Sequence, residues 1–332
     1  MNPIQKIRQK GSLAFNHLRS TLGFNRQLFQ HTPGARALIY HGICRGKPTL
    51  INSLFITAKT FEEHLKFYRR YFNIVSLDDF YAKNYNDDRF AVCLTFDDGF
   101  ANNYRYVLPL IEKYKIPVTF FITAIRQAGH DVLWNDQLAL LQRFGPPNIT
   151  FNGDMYVKDK YRRYLSRSNG SSLRDHLQQN GYPLKAGFLQ QTAEAAIHAK
   201  ARAGDDYWLQ MTEKEITMLT AHPLVTIGCH GYYHNDLSRI PLTDATDEMI
   251  HSRQYLESIT GCAIDAIAFP YGAYTKELTA AAVVAGFRQL LAVDFRHPQD
   301  KDDPTIRERM TINPYISVYN QMTAIVRGHY HT

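Results

Sequence analysis

Acidic residues are missing from the start of this sequence. None precedes Glu62, whereas Lys6, Arg8, Lys10, Arg19, Arg26, Arg36, Arg45, Lys47 and Lys59 do, so the net charge of +7 at pH 7 is unevenly placed. Cysteine is scarce. The four present, Cys44, Cys93, Cys229 and Cys262, show no Cys-x-x-Cys spacing. Buried free thiols are the expectation, and a disulfide framework is not expected in a chain this large without export signals. Long apolar runs are missing too. Nothing approaches the roughly 18 residues that a membrane-spanning helix needs. The N-terminus lacks the compact apolar stretch of a secretory signal. With residues 1–332 as the whole product, the expectation is a cytoplasmic protein, or one peripheral at the inner face of the cell membrane.

What is present suits a folded domain. The hydrophobic fraction of 45% is ordinary for a chain that buries a sizeable core. Residues 1–35 read as a basic amphipathic segment, with Phe15, Leu18, Leu22 and Phe29 at helical spacing. Such a segment can make peripheral contact with an anionic membrane through residues 1–30, or pack as a helix on its own domain. No nucleic-acid-binding motif accompanies the charge, so nucleic acid is not an expected partner. Nothing in the pattern bears on oligomeric state.

From residue 36 onward, strand-like runs recur at Ala37–Tyr40, Asn73–Leu77, Ala91–Phe96, Pro117–Thr123, Val225–His230, Ala266–Tyr271 and Gln289–Val293. Helical stretches lie between several of them. Thr60 with Glu63 reads as a capping box opening Phe61–Phe72, and Thr212 with Glu215 opens another helix. Asn102–Lys115, Thr243–Thr260 and Leu278–Ala285 are further helices. Strands alternating with helices predict an α/β fold with a parallel sheet or barrel, whose active site forms at the C-terminal rim. Residues 131–214 break the alternation. They are polar, with Gly-Pro-Pro at 145–147, and read as a partly helical insertion over one rim.

Three motifs stand at predicted strand ends. Thr95-Phe96-Asp97-Asp98-Gly99-Phe100 delivers two adjacent carboxylates, then a glycine that permits a sharp turn. One carboxylate can coordinate a cation while the other takes a proton from water. Asp-Asp-Gly alone is as readily a helix cap or turn. His230-Gly231-Tyr232-Tyr233-His234 places two imidazoles four residues apart, which meet one cation if the segment is a helical turn. The zinc-protease pattern is excluded, since Gly231 stands where its glutamate belongs. With Asp98, the pair makes a His, His, Asp set that leaves positions open for water and substrate. In Phe269-Pro270-Tyr271-Gly272, Pro270 has no N–H, and the N–H of Tyr271 is a candidate oxyanion donor.

Together the three motifs resemble those of the polysaccharide deacetylases, carbohydrate esterase family 4, which include the nodulation-type chitooligosaccharide deacetylases. Thr95–Gly99 is similar to T-F-D-D-G, His230–His234 to H-[ST]-x-x-H, and Ile267–Gly272 to F-A-Y-P-Y-G. Ile39–Gly42, Phe61–Leu77 and Leu133-Trp134-Asn135-Asp136 extend the likeness, which covers about residues 36 to 315. The resemblance implies a distorted (β/α)7 barrel spanning residues 36–332, with the insertion at about 131–214. It also implies Asp98, His230 and His234 as metal ligands, Asp97 as base and Tyr271 as oxyanion donor. A divalent ion is expected, zinc first, with cobalt or nickel fitting the same ligands.

Three departures from the family pattern stand out. Gly231 replaces the Ser or Thr of the second motif, Cys229 stands where a Ser is common, and the arginine that many members carry near the base is missing from the third motif. Arg309 is the candidate to supply it from another strand end. His329 and His331 are candidates for the family's general acid, and His41 for a further group at the site. The expected activity is removal of N-acetyl groups from an amino-sugar-containing glycan or glycan precursor. An O-acyl carbohydrate esterase and a catalytically silent, metal-bound carbohydrate-binding module are the alternatives.

Overall fold

The computed structural model describes residues 26–30, 32–86 and 88–330, together with Gly11 and Phe15. Nine parallel strand segments form the main sheet: β1 (Ala35–Tyr40), β2 (Asn73–Val75), β3 (Ala91–Phe96), β4 (Val118–Ile122), β5 (Val225–Cys229), β6 (Ala266–Ala268), β7 (Gln289–Leu291), β8 (Ile306–Arg307) and β9 (Arg309–Thr311). The pairing runs β8-β7-β6-β5-β4-β3-β1-β9. Its two ends, β8 and β9, are consecutive stretches of chain separated only by Glu308. One turns its edge to β7 and the other to β1, with Ala37 opposite Arg309. The sheet therefore returns on itself as a nearly closed barrel, the (β/α)7 architecture that the motifs imply.

The distortion has a local cause. The first half of β3 pairs with β2, from Ala91 opposite Asn73 to Cys93 opposite Val75. Only Thr95 and Phe96 pair with β4. The barrel is thus splayed at its base by an eighth stave and tightened at its rim, beneath Asp97. Strands β1, β3 and β4 are almost wholly buried, as expected of a parallel sheet covered on both faces.

The helices cover the outside. Helix α1 (Ala58–Tyr71) buries Phe61, His64, Leu65, Phe67 and Tyr68 on one stripe. Its cap is Thr57, whose hydroxyl accepts the N–H of Thr60 at 3.0 Å, so Thr60 lies one turn inside and not at the cap. Thr212 and Glu215 do form the capping box that their spacing predicts. The strand read at Ala266–Tyr271 stops at Ala268, because Pro270 opens a 3-10 turn there. The closing strands β8 and β9 were not legible as an apolar run. They are five residues around a charged Arg307-Glu308-Arg309.

The insertion carries its own hydrophobic cluster, built on Trp134, Phe151, Tyr164, Phe188, Tyr207 and Trp208. It is partly helical, as read, but it also contains an antiparallel sheet of 148–151, 154–158 and 164–166. Of the amphipathic N-terminal segment, Arg26–Gln30 is a short helix. Phe29 is 3% exposed and packs edge-on to Phe67 at 4.9 Å. Leu18 and Leu22 lie outside the described residues.

Candidate active site

Each motif sits where a barrel strand ends. Asp97 and Asp98 follow β3, and the N–H of Asp97 continues the ladder to the Tyr40 carbonyl at 2.9 Å. The backbone then turns sharply, with Asp98 at φ 77° and Gly99 at φ 81°. An added Cβ on Gly99 would lie 2.9 Å from Ile122 Cγ2, so glycine is required there by both conformation and space. This turn aims the Asp98 carboxylate across the rim at the two histidines. His230 Nε2 lies 3.4 Å, and His234 Nε2 3.2 Å, from Asp98 Oδ1. All three side chains are buried, and their ligand atoms lie within 4.8 Å of one another. His230 Nδ1 lies 2.8 Å from the Ala268 carbonyl. A carbonyl can only accept, so Nδ1 carries the proton and Nε2 presents a lone pair to the centre.

The histidines do not meet through a helical turn. Residues 230–234 form an irregular loop, with Gly231 at φ 75° and His234 at φ 55°. What orders it is Glu248 of α3, defined here as Leu242–Thr260 after α2, Trp134–Phe144. Glu248 Oε1 accepts the N–H groups of Tyr232 and Tyr233 at 3.1 and 3.0 Å, and Oε2 accepts from Asn235 Nδ2 at 2.7 Å. A Cβ on Gly231 would sit 3.1 Å from that same Oε1. The departure from Ser or Thr at 231 thus has a physical counterpart: a carboxylate from the next helix holds the loop and fills the space. Cys229 has a counterpart as well, since its thiol lies 3.1 Å from Ser252 Oγ, which donates to the Gly231 carbonyl at 3.0 Å.

Glu248→Ala would leave those loop donors unpaired behind both imidazoles. We expect this variant to bind a divalent ion about 10–100-fold more weakly, the usual cost of removing a group that orients ligands. Titration of the purified variant with zinc against a chromophoric chelator measures it.

Arg309 stands where the sequence places the missing arginine. Its guanidinium holds Asp97 with both arms, Nη1 to Oδ1 at 2.7 Å and Nη2 to Oδ2 at 2.8 Å. Nη1 also donates to Thr95 Oγ1 at 2.9 Å, and that hydroxyl donates to the Leu38 carbonyl at 2.8 Å. Burial opposes the Asp97 charge, but Arg309, with lesser help from His230 and His41, outweighs it and holds the carboxyl below the usual aspartate range. For Asp98, burial is likewise overcome by the imidazoles of His230 and His234 that face it, and its carboxyl stays well below that range.

Tyr271 reaches the site from the turn after β6. It adopts φ 61°, and the hydrogen bonds of the turn come from Gly272 to Phe269 and from Ala273 to Pro270. The N–H of Tyr271 is not among these. Its ring lies 4.9 Å from that of His234, and its buried hydroxyl has no hydrogen-bond partner among the described residues. His41 also lines the cavity. Burial pushes its imidazole toward the neutral form, against the pull of Asp98 and Asp97. His329 is exposed and is not part of the cavity lining, and His331 lies outside the described residues.

These groups face a cavity of about 360 Å³. Its floor is Asp97, Asp98, His230 and His234. One wall comes from the insertion, through Asn135, Asp136, Leu138 and Arg174. Trp134, Tyr207 and Trp208 are core residues, 1%, 7% and 7% exposed. They present no stacking face to the cavity.

The sequence profile of the polysaccharide deacetylases matches residues 84–153 and 157–290, more than half of the chain. The chain belongs to the polysaccharide deacetylase family. As a deacetylase of that family it is an enzyme that acts on acylated glycans. Solved structures agree on the fold. A Streptococcus pyogenes deacetylase, PplD, solved with acetate, is 17% identical, with 88% of this chain and 97% of that one covered at a TM-score of 0.57. IcaB from Ammonifex degensii is 16% identical, with 90% and 98% covered at 0.53. The Bacillus cereus polysaccharide deacetylase BC0361 is 15% identical, with 88% and 68% covered at 0.54. Among curated proteins, none matches this deacetylase in sequence.

Proposed function

We propose that this deacetylase is a metal-dependent hydrolase that removes N-acetyl groups from an amino-sugar-containing glycan or glycan precursor. The observation that carries the reading is the division of the two aspartates. The Asp98 carboxylate lies within 3.4 Å of both imidazoles, while the Asp97 carboxylate is held by both arms of Arg309. Asp98, His230 and His234 fit a divalent ion of the zinc type: two nitrogen donors and one carboxylate, buried, with the tautomer of His230 set by a backbone carbonyl. When bound, such an ion polarises the acetyl carbonyl and makes water easier to deprotonate.

The remaining work falls to the chain. Asp97, ionised and oriented by Arg309, accepts a proton from the attacking water as its oxygen bonds to the acetyl carbon. The N–H of Tyr271 donates to the carbonyl oxygen as negative charge gathers there. Asp97 then returns the proton to the departing nitrogen as the carbon–nitrogen bond breaks, which leaves a free amine and acetate. Amine and acetate release from N-acetylated oligosaccharides, with and without a chelator, tests the reading. Release of acetate from O-acetylated sugars alone would favour the esterase alternative. Sugar binding without either release would favour the silent module.

Arg309 has a measurable part in this scheme. Replacing it by methionine removes the cation that keeps Asp97 ionised, so the acidic limb of the kcat profile should move to higher pH. Stability has the same sign. A carboxylate with a depressed folded-state pKa stabilises the fold above its ordinary range and loses that contribution only as pH falls through the depressed value. Arg309→Met should therefore cost stability at neutral pH, on the order of 3–5 kcal/mol for an unpaired buried charge. Denaturant melts and a pH–rate profile of the one variant check both.

For the N-terminal segment, we keep membrane docking as part of the proposal. Phe29 is taken up by the core, so attachment would rest on the residues before it, with Lys6, Arg8, Lys10 and Arg19 each contributing on the order of 1 kcal/mol near an anionic surface. Co-sedimentation with phosphatidylserine vesicles should be strong at low salt and weak at high salt. Equal binding by a chain lacking residues 1–25 would refute it.

A further inference from the structure

The insertion enters the catalytic cavity through the first turn of α2, and its three opening residues have different tasks. Trp134 is buried, and its Nε1–H points at the His234 carbonyl 3.4 Å away, so it braces the loop that carries the histidine pair. Asn135 and Asp136 face the cavity. Asp136 is 1% exposed, yet its Oδ2 has no hydrogen-bond partner among the described residues, and neither does the buried Oδ1 of Asn135. Asn52, which lines the same cavity, hydrogen-bonds the Asp136 carboxyl.

Buried polar atoms in folded proteins are almost always paired. Two adjacent exceptions on one cavity wall mark a place where a ligand completes the pairing. Neither residue belongs to the Asp98, His230, His234 set, and neither has a role in the proton transfers. Burial first, and the Asp98 charge second, push the Asp136 carboxyl well above the usual aspartate range. Its unpaired oxygen accepts from a hydroxyl in either protonation state, as the amide oxygen of Asn135 does. A sugar hydroxyl is the complementary group, being donor and acceptor in one atom. The acetyl group has no hydroxyl to offer.

We propose that Asn135 and Asp136 form a subsite for ring hydroxyls of the amino sugar whose acetyl group lies over Asp97 and Asp98, so that the insertion selects the sugar while the barrel carries out the chemistry. This rests on the N-deacetylase reading. A site built to pair a hydroxyl discriminates strongly against a ligand that lacks it, because its own buried groups are then left unpaired.

The test compares the native protein with Asp136→Ala, Asp136→Asn and Asn135→Ala, each checked for zinc content and melting temperature. The probes are triacetylchitotriose, its monodeoxy analogues and p-nitrophenyl acetate. The native protein should favour the parent trisaccharide over at least one monodeoxy analogue by about tenfold or more in kcat/KM. Asp136→Ala and Asn135→Ala should raise KM for the parent by a similar factor and erase that preference, while Asp136→Asn, which keeps an acceptor oxygen, should retain part of it. Should Asp136→Ala fail to fold, Asn135→Ala and Asp136→Asn carry the comparison alone. A preference that survives in the variants, or a loss equal for parent and analogues, overturns the subsite and leaves the deacetylase reading intact. Native protein that releases acetate from p-nitrophenyl acetate, but from no N-acetylglucosamine or N-acetylgalactosamine oligomer, overturns that reading and the subsite with it.

Discussion

Asp97→Asn is expected to retain its metal and lose turnover by about 10²–10⁴-fold, the range associated with a positioned proton acceptor. The amide oxygen can still accept from Arg309, so the fold of the rim should survive. It cannot accept the proton of water at neutral pH. The loss should therefore appear in kcat and not in KM, because Asp97 is asked to act in the transition state and not to hold substrate. A near-normal kcat with full metal would mean that the roles of Asp97 and Asp98 are wrongly divided. Elemental analysis and steady-state kinetics on the same preparation give both numbers.

His230→Ala and His234→Ala should purify with little or no divalent metal. Loss of an orienting group alone costs about 10–100-fold in metal affinity, and loss of a ligand atom costs at least as much. The two variants should differ in stability. His230 bonds the Ala268 carbonyl and lies between β4 and β6, so its removal opens a gap in the rim. His234 Nδ1 has no hydrogen-bond partner among the described residues, and its removal costs chiefly the metal. Full metal occupancy in both variants would remove the basis for the assignment. Activity restored to either variant by added zinc at high concentration would support it.

Much of the site was legible in the sequence because it is carried by local motifs. Strand β3 is an apolar run ending in two aspartates and a glycine, and a chain with that pattern has to deliver the carboxylates together at a strand end. The same holds for His230 after β5 and for Tyr271 after β6. These features depend on neighbours a few residues away, and periodicity and turn chemistry report them well. Arg309 was legible only as a candidate. Its strand is short, charged and interrupted at Glu308, and nothing local says that it closes a barrel.

The tertiary structure decided what depends on distance along the chain. It brought Arg309 across 212 residues to clamp Asp97. It put Glu248 behind the loop at 230–234, which explains how a glycine can stand where a hydroxyl residue was expected. It turned Asn135 and Asp136 toward the cavity and Trp134, Tyr207 and Trp208 into cores, a distinction that composition cannot make because both faces of an insertion carry the same residue types. The physical reason is common to all three. Strand ends and turns are specified by short-range sterics and hydrogen bonding. Which buried polar group meets which partner is specified only once the barrel closes and removes the water that would otherwise satisfy them.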